Sequence, residues 1–461
     1  MKIFKAFETD FYQLSMIAAY IVNDKANDIT GFEGFIRHIK PAVNSFSQFY
    51  IFDGETEIHE YMSIIKKEFE DPEFIETFLT LVMPKVTANK NIIENIIREK
   101  WKTIDKSFEY TVISNGTIVF PLVPVFQIKS AKWIGQLIET YITNIYNGRT
   151  GLATIKYLRD NNKPNLVTDE EFNFLERLMN NEESALNEYK KILDNTAKEF
   201  RGSTNKILLE AAFRRCPSKI TADIASTIAI QNGWNGTSNV SVFLDNLVNA
   251  NQIGGTMAHS WVMSFENERD AFIAWDKIFP GTTILIDTYN VINAANMIKE
   301  MVNDGIITAP HDVRIDSDPL DVYSKQVDEI FNETEISRVD NITGIRIENF
   351  VSGDMNLQKF KTFEDENIPY GKAMAGTKYC YSDKLIERLN SGFVYKIVEY
   401  INKDGKIIRP EKKATGKFNH SGLKSVNYDM LSNTLIVETK SSNFGFRGIE
   451  NINDNTMVIF K

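Results

Sequence analysis

From Ile207 onward the chain alternates short apolar runs with amphipathic stretches, and nearly every apolar run ends in a polar or glycine-containing turn. The turns are Arg214-Arg215, Gly233 to Asn239, Gly255 to His259, Asp287-Thr288, Arg314 to Asp318, Ser352-Gly-Asp354 and Gly376-Thr-Lys378. Helical periodicity intervenes at Ile220 to Gln231, Glu266 to Ile278, Val291 to Asn303, Leu320 to Asn332 and Leu357 to Asn367. Such alternation is the signature of successive βα units. It predicts an α/β fold built on an irregular (β/α) barrel, with reactive groups collected at the C-terminal ends of the strands. A doubly wound open sheet would give a similar series.

The rest of the chain is organised around that unit. Residues 1–130 mix strand-like runs with helical segments and predict an N-terminal α/β domain. Thr9 or Asp10 can cap a first helix through Tyr20. Gly31 to His38, Phe108 to Ile113 and Thr117 to Ile128 are expected strands, and Glu55 to Lys100 is mostly helical with a break near Pro84. The barrel domain spans 131–384 and opens with one long helix, Ser130 to Ile155. It carries a polar, charged helical insertion at about 161–203. From Leu385 the pattern returns to short strands with a hairpin turn at Lys403 to Gly405. The segments in 385–461 are expected to pack on the N-terminal domain or to form a small cap.

Bulk properties exclude several classes. The formal net charge is −10, and no basic stripe or arginine-rich arm is present, so a nucleic-acid binder is not expected. Two cysteines in 461 residues, without metal-ligand spacing, point to a reducing compartment. The N-terminus lacks the pattern of a secretory signal. No run of about 18 apolar residues exists to span a membrane. A cytoplasmic location is expected.

The polar strand ends carry the chemistry. Gly236-Thr-Ser-Asn239, Ser352-Gly-Asp354 and Gly376-Thr377 each join glycine to a hydroxyl residue, and backbone N–H groups in such turns bind phosphate oxygens. Three of them favour a phosphorylated substrate. Arg214-Arg215 can clamp a phosphate or carboxylate, or form a surface ion pair. His259, framed by Gly-Thr-Met-Ala and Ser-Trp, reads as a satisfied core histidine or as a nucleophile or base oriented by Asp287. Asp287, Asp316, Asp318 and Asp354 can hold Mg2+ against a pyrophosphate or stabilise a cationic sugar; each could instead cap a helix.

Taken in order, these stretches resemble the nicotinate phosphoribosyltransferase family. Thr9-Asp-Phe-Tyr-Gln-Leu-Ser-Met16 is similar to the family's TDxYQLTM, and Leu208 to Arg215 to its LLEFGLRR. Gly236-Thr-Ser-Asn-Val240, Gly255-Thr-Met-Ala-His-Ser260, Leu285-Ile-Asp-Thr-Tyr289, Val313-Arg-Ile-Asp-Ser317, Ser352-Gly-Asp354 and Ala375-Gly-Thr377 complete the series. The resemblance implies an irregular barrel with an α/β domain built from both ends of the chain. It implies the joining of nicotinate to 5-phosphoribosyl 1-pyrophosphate, giving nicotinate mononucleotide and pyrophosphate, with ATP and Mg2+ used and ATP hydrolysis coupled through a phosphohistidine, in NAD salvage.

On that resemblance, His259 would accept the phosphoryl group, and Asp287 and Asp316 would lie by the ribose, the metal or His259. Tyr12, Arg214, Ser238 and Arg314 would meet the nicotinate. Tyr12 would reach across a homodimer interface into the partner's site. Ser352, Gly353, Gly376 and Thr377 would hold the 5-phosphate. Related nicotinamide enzymes carry an aspartate where Ser238 stands, so Ser238 leans towards a carboxylate substrate. Two positions depart from the family: Asp316-Ser-Asp-Pro319 replaces Asp-Ser-Gly-Asp, and Ala211 replaces a larger residue. A nicotinamide phosphoribosyltransferase is the alternative enzyme, and a non-catalytic relative that binds nucleotides or NAD precursors is the alternative of another class.

Overall fold

The computed structural model describes residues 2–38, 48–161, 163, 167–332, 346–402, 404–410, 420–439, 444–449, 452 and 456–460. The expected turn at Lys403 lies partly outside them.

The chain opens with α1 (Phe11–Val22), whose Leu14, Ile17, Ala18 and Ile21 are all buried. β1 (Ile29–Ile36) and β2 (Tyr50–Ile51) follow, then α2 (Glu55–Glu68), α3 (Glu73–Val82) and α4 (Lys90–Trp101). The helical run breaks at Met83–Lys85 around Pro84, which cannot donate a helix hydrogen bond. β3 (Phe108–Val112), β4 (Ile118–Val119) and β5 (Pro124–Ala131) come next. The strand expected through Thr117 to Ile128 is thus split. Pro121 falls in the gap between β4 and β5, consistent with the missing N–H of proline in a ladder.

The long helix expected at Ser130 is likewise two helices, α5 (Lys132–Leu137) and α6 (Glu139–Asp160), joined at Ile138. Ser130 and Ala131 belong to β5. Both helices are almost wholly buried at their junction, so the apolar content there reflects burial on all sides and not one face. The polar stretch after them holds α7 (Asp169–Met179) and α8 (Glu183–Gly202). Phe172, Leu175, Leu178, Tyr189, Leu193 and Ala197 are buried, and Tyr189 donates to the Cys380 carbonyl at 3.0 Å.

The βα series then runs as β6 (Ile207–Glu210), α9 (Lys219–Gln231), β7 (Gly236–Thr237), α10 (Val240–Leu244), α11 (His259–Val262), α12 (Glu268–Asp276), β8 (Ile284–Leu285), α13 (Val291–Asn303), β9 (Asp312–Ile315), α14 (Leu320–Asn332), β10 (Glu348–Val351), α15 (Leu357–Asp365), β11 (Lys372–Ala375) and α16 (Thr377–Cys380). Its six strands pair in parallel in the order β7-β6-β11-β10-β9-β8. Among the described residues no strand pairing joins the edges β7 and β8. The segment Ile253–His259 spans that opening. Ile253 bridges to Thr237, Thr256 Oγ1 accepts from Arg314 after 2.7 Å, and His259 Nδ1 lies 3.1 Å from Thr288 Oγ1.

The helices of this unit are capped by Asn and Ser. Ser218, Asn239, Asn267, Asn290 and Asn356 each accept a backbone N–H at a helix start. Asp287 and Asp354, which precede two of these helices, are therefore not needed as caps and are available to the strand-end surface.

β12 (Phe393–Ile401), far along the chain, lies antiparallel beside β1. With β13 (Ile407–Ile408) it completes a sheet of order β13-β12-β1-β5-β3. β14 (Lys424–Asp429), β15 (Thr434–Thr439), β16 (Gly445–Arg447) and β17 (Met457–Phe460) form a separate four-stranded sheet. It is tied to the first by Lys424, whose Nζ lies 2.6 Å from the buried Glu33 carboxylate on β1. Among the described residues no helix is long and apolar enough to cross a membrane.

Candidate active site

The strand C-termini open onto one cavity of about 240 Å³. Its lining brings together Tyr12, Arg214, Ser238, His259, Arg314, Asp316, Ser352, Gly353, Gly376 and Thr377, which sequence reasoning had singled out from seven separate stretches. Asp287 stands behind His259, 3% exposed, and accepts a short hydrogen bond from Ser317 Oγ.

Tyr12, Arg214, Arg314, Ser238 and Ala211 line one part of the cavity. Tyr12 forms a wall, and its hydroxyl accepts from Arg214 Nη1 at 2.7 Å. Arg214 also reaches Glu139 Oε1 at 3.2 Å. Tyr12, Glu139 and Asp10 around Arg214 hold its guanidinium firmly charged, above its ordinary pKa. Arg314 enters from the end of β9, with its pKa lowered by burial and supported by Asp316 and Asp287. Ser238, 2% exposed, also lines the cavity and donates to Asp10 Oδ1 at 2.5 Å. Ala211 lies on the same wall.

Tyr12 lines this cavity from the start of α1. Phe11 N donates to the Ser238 carbonyl at 2.6 Å and Val240 N to the Thr9 carbonyl at 3.0 Å, so the start of α1 is stitched to β7. Close approach of Gly255 makes this possible, since a Cβ there would sit 2.3 Å from the Tyr12 nitrogen.

The opposite end is built from turns. Ser352 Oγ donates to Asp316 Oδ1 at 2.8 Å, fixing the Ser352–Asp354 turn against the turn after β9. Gly376 adopts φ −136° and ψ −91° at the start of α16, and a Cβ on it would lie 2.6 Å from the Ala211 carbonyl. Backbone must approach backbone there, which only glycine permits. Arg37, Arg215 and Lys396 add positive charge along this end. Arg215 donates to the Phe393 carbonyl at 2.7 Å, so β12 is held as a wall of the cavity.

His259 occupies the first turn of α11, between the two ends. Its Nε2 lies 3.9 Å from Asp287 Oδ1 and 3.8 Å from Asp316 Oδ2, and the three donor atoms fall within 4.8 Å of one another. A pair of carboxylates at this spacing suits Mg2+ shared with substrate phosphates, because that ion prefers oxygen and keeps much of its shell for water and phosphate. The imidazole is a poor ligand for it and remains available for phosphoryl chemistry.

The turn that departs from the family pattern directs its extra carboxylate outward. Asp318 is largely exposed and pairs with Lys359 Nζ at 2.9 Å, while the same ammonium donates to the Gly353 carbonyl at 2.7 Å. Sequence reasoning missed Glu139, Arg37, Arg215's anchoring role, the contact of Thr256 with Arg314, and Gln136, and offered Thr9 or Asp10 as a cap. Asp10 makes no side-chain capping bond; it accepts from Ser238 and, at 2.9 Å, from Thr140. The only available signal was its place beside Tyr12 in the Thr9–Met16 stretch.

No family model matches the chain. Curated relatives do. A nicotinate phosphoribosyltransferase of Mycobacterium tuberculosis is 21% identical over 417 residues, covering 88% of this chain and 74% of the relative. One of Caenorhabditis elegans is 24% identical over 449 residues, covering 85% and 68%. Among solved structures, the fold matches the nicotinate phosphoribosyltransferase of Porphyromonas gingivalis with TM-score 0.54 and 14% identity, over 91% of this chain and 97% of that one. A Saccharomyces cerevisiae protein ascribed to the same activity matches with TM-score 0.59 and 16% identity, over 91% and 95%.

Proposed function

We propose that this chain, a member of the nicotinate phosphoribosyltransferase family, joins nicotinate to 5-phosphoribosyl 1-pyrophosphate to give nicotinate mononucleotide and pyrophosphate. One observation carries the reading. A single cavity holds an aromatic slot with two arginines at one end, glycine turns with further cations at the other, and a His–Asp–Asp group between.

The slot suits a flat pyridine ring bearing an anion. Tyr12 offers its face, and Arg214 and Arg314 offer planar forks for the carboxylate. The turns at Ser352-Gly353 and Gly376-Thr377 suit a phosphate monoester, with backbone N–H groups as donors. A ribose spanning the two ends would place its anomeric carbon near Asp316 and Asp287. Displacement there develops positive charge on the sugar, which these carboxylates would stabilise. The ring nitrogen is itself the nucleophile, so no base is required at that atom. Mg2+, if bound, would neutralise the departing pyrophosphate, and Asp287 and Asp316 would hold it.

His259 is the residue we assign as phospho-acceptor from ATP. Its Nδ1 is oriented by Thr288, which leaves Nε2 facing the two aspartates and the cavity. Breakdown of that phosphohistidine would be linked to closure over the substrates, so that ATP hydrolysis drives the synthesis. The protein would then act in the cytoplasm in NAD salvage. Release of pyrophosphate that depends on nicotinate tests the reading; pyrophosphate production indifferent to nicotinate would refute it.

A nicotinamide-using enzyme is the second reading, favoured by one observation. Asp10 sets a carboxylate against Ser238, where an amide N–H could donate. Two arginines at the same slot weigh towards the acid.

A further inference from the structure

We propose that Gln136 is a positioning residue that couples the ring slot to His259. The inference rests on the functional reading above and adds a route by which occupancy of one end is felt at the other.

Gln136 lies on α5, outside every motif discussed, and is fully buried. Its amide oxygen accepts from Ser260 Oγ at 2.7 Å, and Ser260 directly follows His259. Its amide nitrogen donates to Glu139 Oε2 at 3.2 Å and makes a short bond to Gln13. Gln13 donates to the same Glu139 oxygen at 2.9 Å. The other Glu139 oxygen takes Arg214 at 3.2 Å, and Arg214 holds the Tyr12 hydroxyl. An unbroken chain of hydrogen bonds therefore runs Ser260, Gln136, Glu139, Arg214, Tyr12.

The polarity of this chain is set by chemistry. Ionised Glu139 can only accept, so Arg214 and Gln136 both donate into it. An arginine that turns its fork to a ring carboxylate loosens its hold on Glu139. Glu139 is then free to draw on Gln13 and Gln136. The Gln136 amide is one rigid plane, so a shift at its nitrogen moves the oxygen that holds Ser260 and the start of α11. The amide supplies both an acceptor and a donor at this buried point; a leucine of similar size supplies neither, and leaves Glu139 and Ser260 short of a bond.

The test uses full-length protein labelled with 15N-histidine, with the His259 resonance assigned by comparison with His259→Ala. Saturating nicotinate should shift the His259 ring signals in the parent protein. In Gln136→Leu and in Ser260→Ala that shift should shrink by about threefold or more, and the double variant should be no worse than either single one. ADP formed per mononucleotide should rise in the same variants. Circular dichroism and thermal midpoint establish folding; if Gln136→Leu does not fold, Ser260→Ala, which removes one hydroxyl, decides alone. Nicotinate binding with an unchanged His259 shift in Ser260→Ala, or additive effects in the double variant, overturns the inference and leaves the functional reading standing. A parent protein that does not bind nicotinate overturns both.

Discussion

Ser238 at the end of β7 donates to Asp10 at the start of α1 across 2.5 Å, with both side chains at most 2% exposed. The pair joins the barrel to the N-terminal helix and places one buried carboxylate at the wall of the ring slot. Burial raises the Asp10 pKa, and Arg214 opposes that rise. The slot thus sets the carboxyl groups of Asp10 and Glu139 beside the guanidinium groups of Arg214 and Arg314. Arg214 already bonds Tyr12 and Glu139, and Arg314 bonds Thr256, so each has a protein partner that a bound acid would replace.

Ser238→Asp should upset that arrangement. A second carboxyl beside Asp10 adds an acidic acceptor at the slot, which disfavours an acid substrate relative to an amide. The expected loss in kcat/KM for nicotinate is about 10- to 100-fold, with a smaller loss for nicotinamide. Steady-state kinetics with both substrates measures the ratio. An unchanged ratio would mean that Ser238 does not read the ring substituent.

Gly376→Ala should damage the phosphate end. The new methyl meets the Ala211 carbonyl at 2.6 Å, and neither side is a flexible side chain that can yield. The expected outcome is a destabilisation of about 1–3 kcal/mol together with a raised KM for 5-phosphoribosyl 1-pyrophosphate. The KM for nicotinate should change less. Thermal unfolding and initial rates separate the two effects; a normal KM for the phosphorylated substrate would remove this turn from the phosphate site.

Glu210, at the end of β6, provides a pH prediction. It is fully buried, accepts from Ser226 Oγ at 2.8 Å and Thr237 Oγ1 at 2.5 Å, and among the described residues has no cation bonded to it. Burial pushes its pKa up to about 7, from an ordinary value of 4.5. The native state then binds a proton that the unfolded chain has released, so its contribution to stability is full below about pH 4.5 and is lost as pH rises through about 7. The loss is on the order of 3 kcal/mol. Glu210→Gln should flatten the fall in denaturation midpoint between pH 5 and pH 8. An equal fall in both proteins would place the titration elsewhere.

Much of the barrel unit could be read from the chain. The helices at Val291–Asn303 and Leu320–Asn332 begin and end where periodicity puts them, because each has one clear apolar face. The strand-end turns were visible for the same reason: polar residues interrupt apolar runs abruptly. Strand order was not visible, since parallel pairing such as β11 beside β6 joins residues far apart in sequence. The break at Ile138 was hidden by burial on all sides. In the site, residues inside glycine-rich turns announced themselves. Glu139 and Gln136 did not, because each comes from a helix and gains its role only when α5 and α6 pack against α1 and α11. Tyr12 was found by motif, but its placement in the cavity of its own chain depends on the pairing of Thr9–Phe11 with Ser238–Val240, which no local pattern encodes.

The central claim is tested most directly by product identity. The protein is mixed with Mg2+, 5-phosphoribosyl 1-pyrophosphate and equal amounts of nicotinate and nicotinamide, with and without ATP, and the mononucleotides are resolved by mass. Nicotinate mononucleotide is expected in excess, more of it with ATP, with a loss of that ATP stimulation in His259→Ala. Nicotinamide mononucleotide as the main product, or no mononucleotide in any mixture, would contradict the central claim.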